Sequence, residues 1–145
     1  MTLFHHIARL SALAGLLSMA ACHSLPTYQP APNEAVTTAK FIGMGQPYMC
    51  RGGIRYKLDV LMRDGFRTAL LPTEQRISVW SAMSYVGYNI VSTCAPSIGF
   101  VPRAGTGVIV NSGLASGQCF IEVVRDDPSQ ATGVATEPTA GAPAC

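Results

Sequence analysis

Apolar and polar positions alternate most regularly in Arg55–Arg63. There Tyr56, Leu58, Val60 and Met62 share one face of an extended strand, and mostly charged residues take the other. Successive side chains of a strand point to opposite faces, so this pattern predicts a half-buried β-strand. Asp64-Gly65 follows, a pair whose residues tolerate positive φ and which predicts a two-residue hairpin turn. Phe66–Leu71 would return and Pro72 would end it; Thr73-Glu74-Gln75 turns the chain. Arg76–Trp80 then predicts a third strand with Ile77 and Val79 inward. Ser81–Val91 fits no single period and suits either a helical turn or an irregular strand. Ser97–Val101 predicts a short strand stopped by Pro102, with Arg103–Thr106 as its turn and Gly107–Asn111 running back. A Gly/Ser loop over 112–118 leads to a last strand, Cys119–Arg125. Short strands at such intervals predict an all-β fold, a small antiparallel β-sandwich or a partial barrel, of which the sandwich is the expectation adopted.

The two ends read differently. Residues 23–39 hold three prolines and one charge, which predicts an extended tether. Residues 128–145 lack large apolar side chains to offset the entropy of ordering, so a disordered tail is expected. The β-domain is thereby placed at 40–127. Ahead of the tether, Arg9 is followed by twelve uncharged residues, Leu10–Ala21, ending in small side chains. That is the layout of an export signal over residues 1–21, and twelve residues are too few to span a bilayer as a helix.

Met19-Ala20-Ala21-Cys22 resembles the lipobox of bacterial lipoproteins: an aliphatic residue, two small residues and a cysteine. The resemblance implies that Cys22 receives a diacylglycerol on its thiol, that the leader is cut before it, and that the new amino group is acylated. Two or more acyl chains give lasting attachment to a membrane. In that family aspartate after the cysteine marks retention in the inner membrane, so His23 implies the outer membrane.

A chain starting at Cys22 would have 124 residues with nine basic and eight acidic side chains. That balance argues against nucleic acid as a partner, since such binding needs a basic face. It supplies no polybasic patch for headgroups either, so acylation would have to hold the membrane. Four cysteines remain in this exported chain: Cys50, Cys94, Cys119 and Cys145. If 97–101 and 107–111 form a hairpin, Cys94 and Cys119 fall at the same sheet end. A bridge between them closes a loop of 26 residues, worth about 3.5 kcal/mol by chain entropy. Cys50 and Cys145 either pair through a long flexible tail or stay free, and a free Cys145 would be able to join two chains. Close zinc-ligand spacing is missing from the sequence, and His23 is the one histidine after the leader.

The run from Cys94 to Gly105 and the stretch Cys119–Asp127 are similar to small proteobacterial lipoproteins that end in a cysteine-framed hairpin and strand. The pattern is roughly C-x-P-x-I-x-F-x-P-x-x-G followed by C-x-x-E-V, and the likeness covers about residues 50–127. It implies an immunoglobulin- or prealbumin-like β-domain and brings no catalytic motif. Gly107-Val108 departs from it, standing where an aromatic residue is frequent.

Few groups suit chemistry. A histidine-based hydrolytic triad needs a histidine beyond His23, and the sequence has none there. Asp126-Asp127, with Asp64, are candidate calcium ligands but read more simply as a solvated strand end. Gly43-Met44-Gly45-Gln46-Pro47 lacks the lysine of a phosphate loop and reads as a turn. Trp80, Tyr85 and Tyr88 are a candidate aromatic surface, though core and edge packing is the plainer reading. The functional expectation is a non-enzymatic, cofactor-free binding or structural module. It would be held in the outer membrane through Cys22, take a protein partner, and belong to a larger envelope or secretion assembly. The alternative is a periplasmic inhibitor or immunity protein whose loop 112–118 plugs a cell-wall hydrolase.

Overall fold

A computed structural model describes residues 24–43 and 45–145. The leader (1–21), Cys22 and His23 lie outside the described residues, as does Met44. The described residues are all-β, in two sheets. Numbered in chain order, the strands are β1 (Val36–Gly43), β2 (Gln46–Arg51), β3 (Ile54–Lys57), β4 (Leu61–Arg63), β5 (Phe66–Pro72) and β6 (Ile77–Gly87). They continue as β7 (Ile90–Cys94), β8 (Ser97–Phe100), β9 (Val108–Ala115), β10 (Gln118–Asp126) and β11 (Val134–Thr136). The first sheet runs β11-β10-β9-β1-β5-β4 and the second β3-β2-β6-β7, with β8 also on β6. All pairings are antiparallel except β1 with β9.

Period-two alternation builds the core. β1 turns Thr37, Ala39 and Phe41 inward, and Ala69, Leu71, Val108, Val110 and Val123 join them from β5, β9 and β10. Met49, Ile77, Val79 and Phe100 face them from the second sheet, and the apolar side chains among these form one buried cluster. Two sheets therefore pack face to face as a β-sandwich.

Several expectations are corrected. Arg55–Arg63 is two strands: β3 pairs β2 in one sheet, and β4 pairs β5 in the other. The chain changes sheets at Leu58–Val60; Leu58 fills the corner at 1% exposure, while Met62, expected inside, is 70% exposed. The Asp64-Gly65 turn forms as expected, with φ of 51° and 78°. Segments 97–101 and 107–111 do not make a hairpin, because β8 pairs β6 while β9 pairs β1 and β10. Nor does Ser81–Val91 hold a helical turn: β6 runs on to Gly87 and returns as β7. Ile77 faces Phe100 and Met83 faces Cys94 in one unbroken register. β7 and β8 are thus a single return strand interrupted at Ala95-Pro96, where proline has no N–H for the ladder.

The tether is also corrected over its described part. Thr27 bridges Lys57, the Tyr28 N–H donates to the Lys57 carbonyl at 2.9 Å, and the Tyr28 ring is buried. Arg51 pairs with Glu34 and lies 5.5 Å from the Tyr28 ring centroid. The three prolines shape an ordered entry segment, because Tyr28 has a core site to fill. Disorder in 128–145 is likewise corrected: β11 pairs β10, Gly141 exchanges backbone hydrogen bonds of 2.9 Å with Gly99, and Cys145 is bonded to Cys50. Covalent and polar fastenings replace the apolar side chains this segment lacks. The folded unit thus extends at both ends beyond the expected 40–127.

Candidate functional site: an uncharged β-arm

Both disulfides fix where the surface features sit. Cys94 and Cys119 are bonded, their Cα atoms 6.5 Å apart. Cys94 shares the inward face of its strand with Phe100, and Cys119 that of Val123, so the bridge joins the two sheets at one end of the sandwich. The expected pairing is therefore present, but across sheets rather than along one. Cys50 and Cys145 form the second bridge, with Cα atoms 6.2 Å apart. Cys50 lies opposite Ser78 on the outer face of the second sheet, which leaves no free Cys145 thiol to join two chains.

The segment reaching Cys145 lies over that outer face as a clasp. The Arg76 guanidinium donates to the carbonyls of Thr139 at 3.2 Å and Ala142 at 2.9 Å. The Ala144 N–H donates to Ser78 Oγ at 2.6 Å. A Cβ on Gly99 would sit 2.4 Å from the Ala142 oxygen, so only glycine lets the clasp pass this close.

The candidate residues fall in three places. Trp80 stacks on Tyr48 (centroids 5.4 Å apart) on the outer face of the second sheet. It borders a shallow basin of about 200 Å³ with Arg55, Ser78, Ser97 and Cys145. Tyr85 is half-buried on β6. Tyr88 is 95% exposed at the turn between β6 and β7, so core or edge packing is corrected for it. The three aromatics do not form one surface. Asp126 pairs with Lys40 at 2.6 Å, and Asp127 accepts from the Ser129 N–H at 3.0 Å and its hydroxyl at 2.6 Å. These hydrogen bonds hold the Asp127 carboxyl below its usual range. Asp64 lies in the β4–β5 turn, and among the described residues no three potential metal ligands come together. The expected plugging loop 112–118 is strand up to Ala115, then a tight Ser116-Gly117 turn.

Beside Tyr28 a groove of about 150 Å³ is lined by Pro30, Thr38, Leu61 and Leu70. Glu34 lies near the same tyrosine. Its burial works to raise the carboxyl pKa, but the Ala31 N–H, the nearby Tyr28 hydroxyl and the Arg51 guanidinium outweigh this and hold it below its usual value. Burial, followed by the nearby Glu34 carboxylate, pushes the Tyr28 phenol up. These groups fasten the entry segment to the sandwich.

The strongest candidate is the far half of the β6–β7 hairpin, beyond the sandwich. It exposes Val86 (80%), Tyr88 (95%), Ile90 (64%) and Val91 (68%) together at its end. Between Arg76 and Arg103 the chain has no charged residue. Clustered exposed apolar side chains on a folded domain mark an interaction site. The inter-sheet disulfide at Cys94 anchors the base of this arm to β10. The sequence reading missed the arm, although the uncharged run and Asn89, which takes a φ of 67° in the turn, were its signals. No family model, curated protein or solved structure matches this chain.

Proposed function

We propose that the chain is an exported lipoprotein, held in the outer membrane by acyl groups on Cys22. In this reading it is a non-enzymatic binding module of the cell envelope, and its β-domain is immunoglobulin- or prealbumin-like. It presents the β6–β7 arm to a protein partner within a larger envelope assembly. The observation that carries this reading is the uncharged, apolar arm end, set on a base stapled by a disulfide. Such a patch costs solubility unless something covers it, and a rigid mount limits the entropy lost on binding.

Two further observations support the address. Disulfides persist in oxidising compartments outside the cytoplasm. The four cysteines of the domain are bonded pairwise, leaving no cysteine of the described residues to pair with Cys22. A fifth cysteine directly after the uncharged run Leu10–Ala21 suits lipid attachment. An inter-sheet bridge in a sandwich of short strands favours the finer fold assignment.

The test has two arms. Cys22→Ser should move the protein from the outer-membrane fraction to the periplasmic fraction and abolish labelling by an alkyne fatty acid. A photo-crosslinking residue at Tyr88 should capture protein in intact cells, while one at Arg103, away from the arm, should not. Unchanged fractionation of Cys22→Ser would overturn the anchor. Equal labelling from both crosslinker positions, or none from Tyr88, would overturn the arm as binding element.

A further inference from the structure

We propose that the arm pairs with the arm of a second copy of this chain, β7 against β7 in antiparallel sense about a two-fold axis. The result is a four-stranded sheet joining two sandwiches. This inference rests on the reading of the arm as the binding element and names its partner.

The argument starts from sheet edges. An edge strand offers unpaired N–H and C=O groups to any other chain, and proteins guard such edges with charge, proline, brevity or a cover. Past Ala82, where its pairing with β2 stops, β6 also has an open far side over Met83–Gly87, but among the described residues the strands at the other sheet ends are guarded. β11 and β4 are three residues long, and β4 carries Arg63. β3 carries Arg55 and Lys57 and is bridged by Thr27; β8 is covered by Gly141. β7 differs. From Ile90 to Cys94 it has no charge and no proline, its register with β6 contains no bulge, and among the described residues no strand pairs its far side.

The occupant must satisfy that edge as well as cover Val91 and Ile90. A bilayer interior does not, since it leaves open backbone groups without partners. A strand does both. Charge then favours an identical strand, because a two-fold axis sets like residues near one another and doubles any repulsion. The arm carries no charge to repel. With the axis at Ser92, Val91 of one copy lies opposite Thr93 of the other, on one face. Both are exposed and β-branched, the side chains that suit cross-strand pairs. Copies held on one membrane surface would meet at raised effective concentration.

The experiment uses the exported chain with both disulfides formed. Light scattering behind size exclusion, over a dilution series, should give a dimer that dissociates on dilution. Amide exchange at Val91 and Thr93 should slow as concentration rises. Val91→Lys and Thr93→Glu should each weaken the dimer, by about tenfold for a few unfavourable cross-strand contacts. Mixing the two variants should restore it, because Lys at 91 then faces Glu at 93. Both positions are exposed, so thermal melts should match the parent. A monomer at every concentration overturns self-pairing; if Tyr88 still captures a different envelope protein, the binding-module reading stands, and without such capture both fall. A dimer indifferent to both substitutions overturns the proposed edge and leaves that reading to the crosslinking result.

Discussion

Replacing Cys50 and Cys145 with alanine cuts the clasp that crosses the outer face of the second sheet. The bridge spans a separation of 95 residues, and a loop of that length restricts the unfolded chain by about 4.7 kcal/mol. The Cys94–Cys119 bridge spans 25 residues, which gives about 3.5 kcal/mol by the same reasoning. The longer bridge should therefore cost more to remove, by about 1 kcal/mol. Its loss also leaves residues 137–145 held, among the described residues, by hydrogen bonds to Arg76, Ser78 and the Val101 N–H and by the Gly99–Gly141 bridge. Against a total of about 5–15 kcal/mol for a domain, that is a large share. Urea unfolding followed by Trp80, the single tryptophan, reads the difference directly. Each pair should be replaced separately, with the other bridge kept oxidised. A loss below about 1 kcal/mol for Cys50/Cys145, or a larger loss for Cys94/Cys119, would refute the clasp as a long-range restraint.

Gly99→Ala should push the clasp off β8, costing about 1–3 kcal/mol; thiol labelling of partly reduced protein should show Cys50 and Cys145 becoming more reactive. Phe100 is wholly buried, so Phe100→Ala should cost about 3–5 kcal/mol by urea unfolding. Glu34 has a folded pKa below its unfolded value near 4.5. Its contribution is therefore complete above that value and lost as pH falls through the folded one. Urea midpoints measured from about pH 6 to about pH 3 should fall, and Glu34→Gln should flatten that decline. A slope unchanged in Glu34→Gln would place the acid sensitivity elsewhere.

The sequence makes the β class and several turns legible because their signals are local. Asp64-Gly65 specifies its turn through backbone preference, and Ile77 and Val79 alternate against serine and tryptophan within one strand. What it conceals is which sheet a strand joins. Arg55–Arg63 keeps a perfect alternation across a change of sheet, since both halves need period two, and only packing places Leu58 in the corner. Cys94 and Cys119 are bonded without the hairpin that their spacing suggests, because β7 ends and β10 begins at the same end of the sandwich. Residues 128–145 read as disordered because composition speaks for apolar burial alone. Their order comes from Cys50, Arg76 and Gly99, each more than 40 residues upstream of the residue it holds. The arm was obscured for the opposite reason: Val86 and Ile90 look like core residues in sequence, and only the fold leaves them outside.

The most direct test of a membrane-held, disulfide-stapled module is the intact mass of the native protein extracted from membranes without reductant. The account predicts a chain that starts at Cys22, carries acyl groups there, and is four hydrogens lighter for its two bridges. A product that retains residues 1–21, or one whose Cys22 is unmodified, would contradict it.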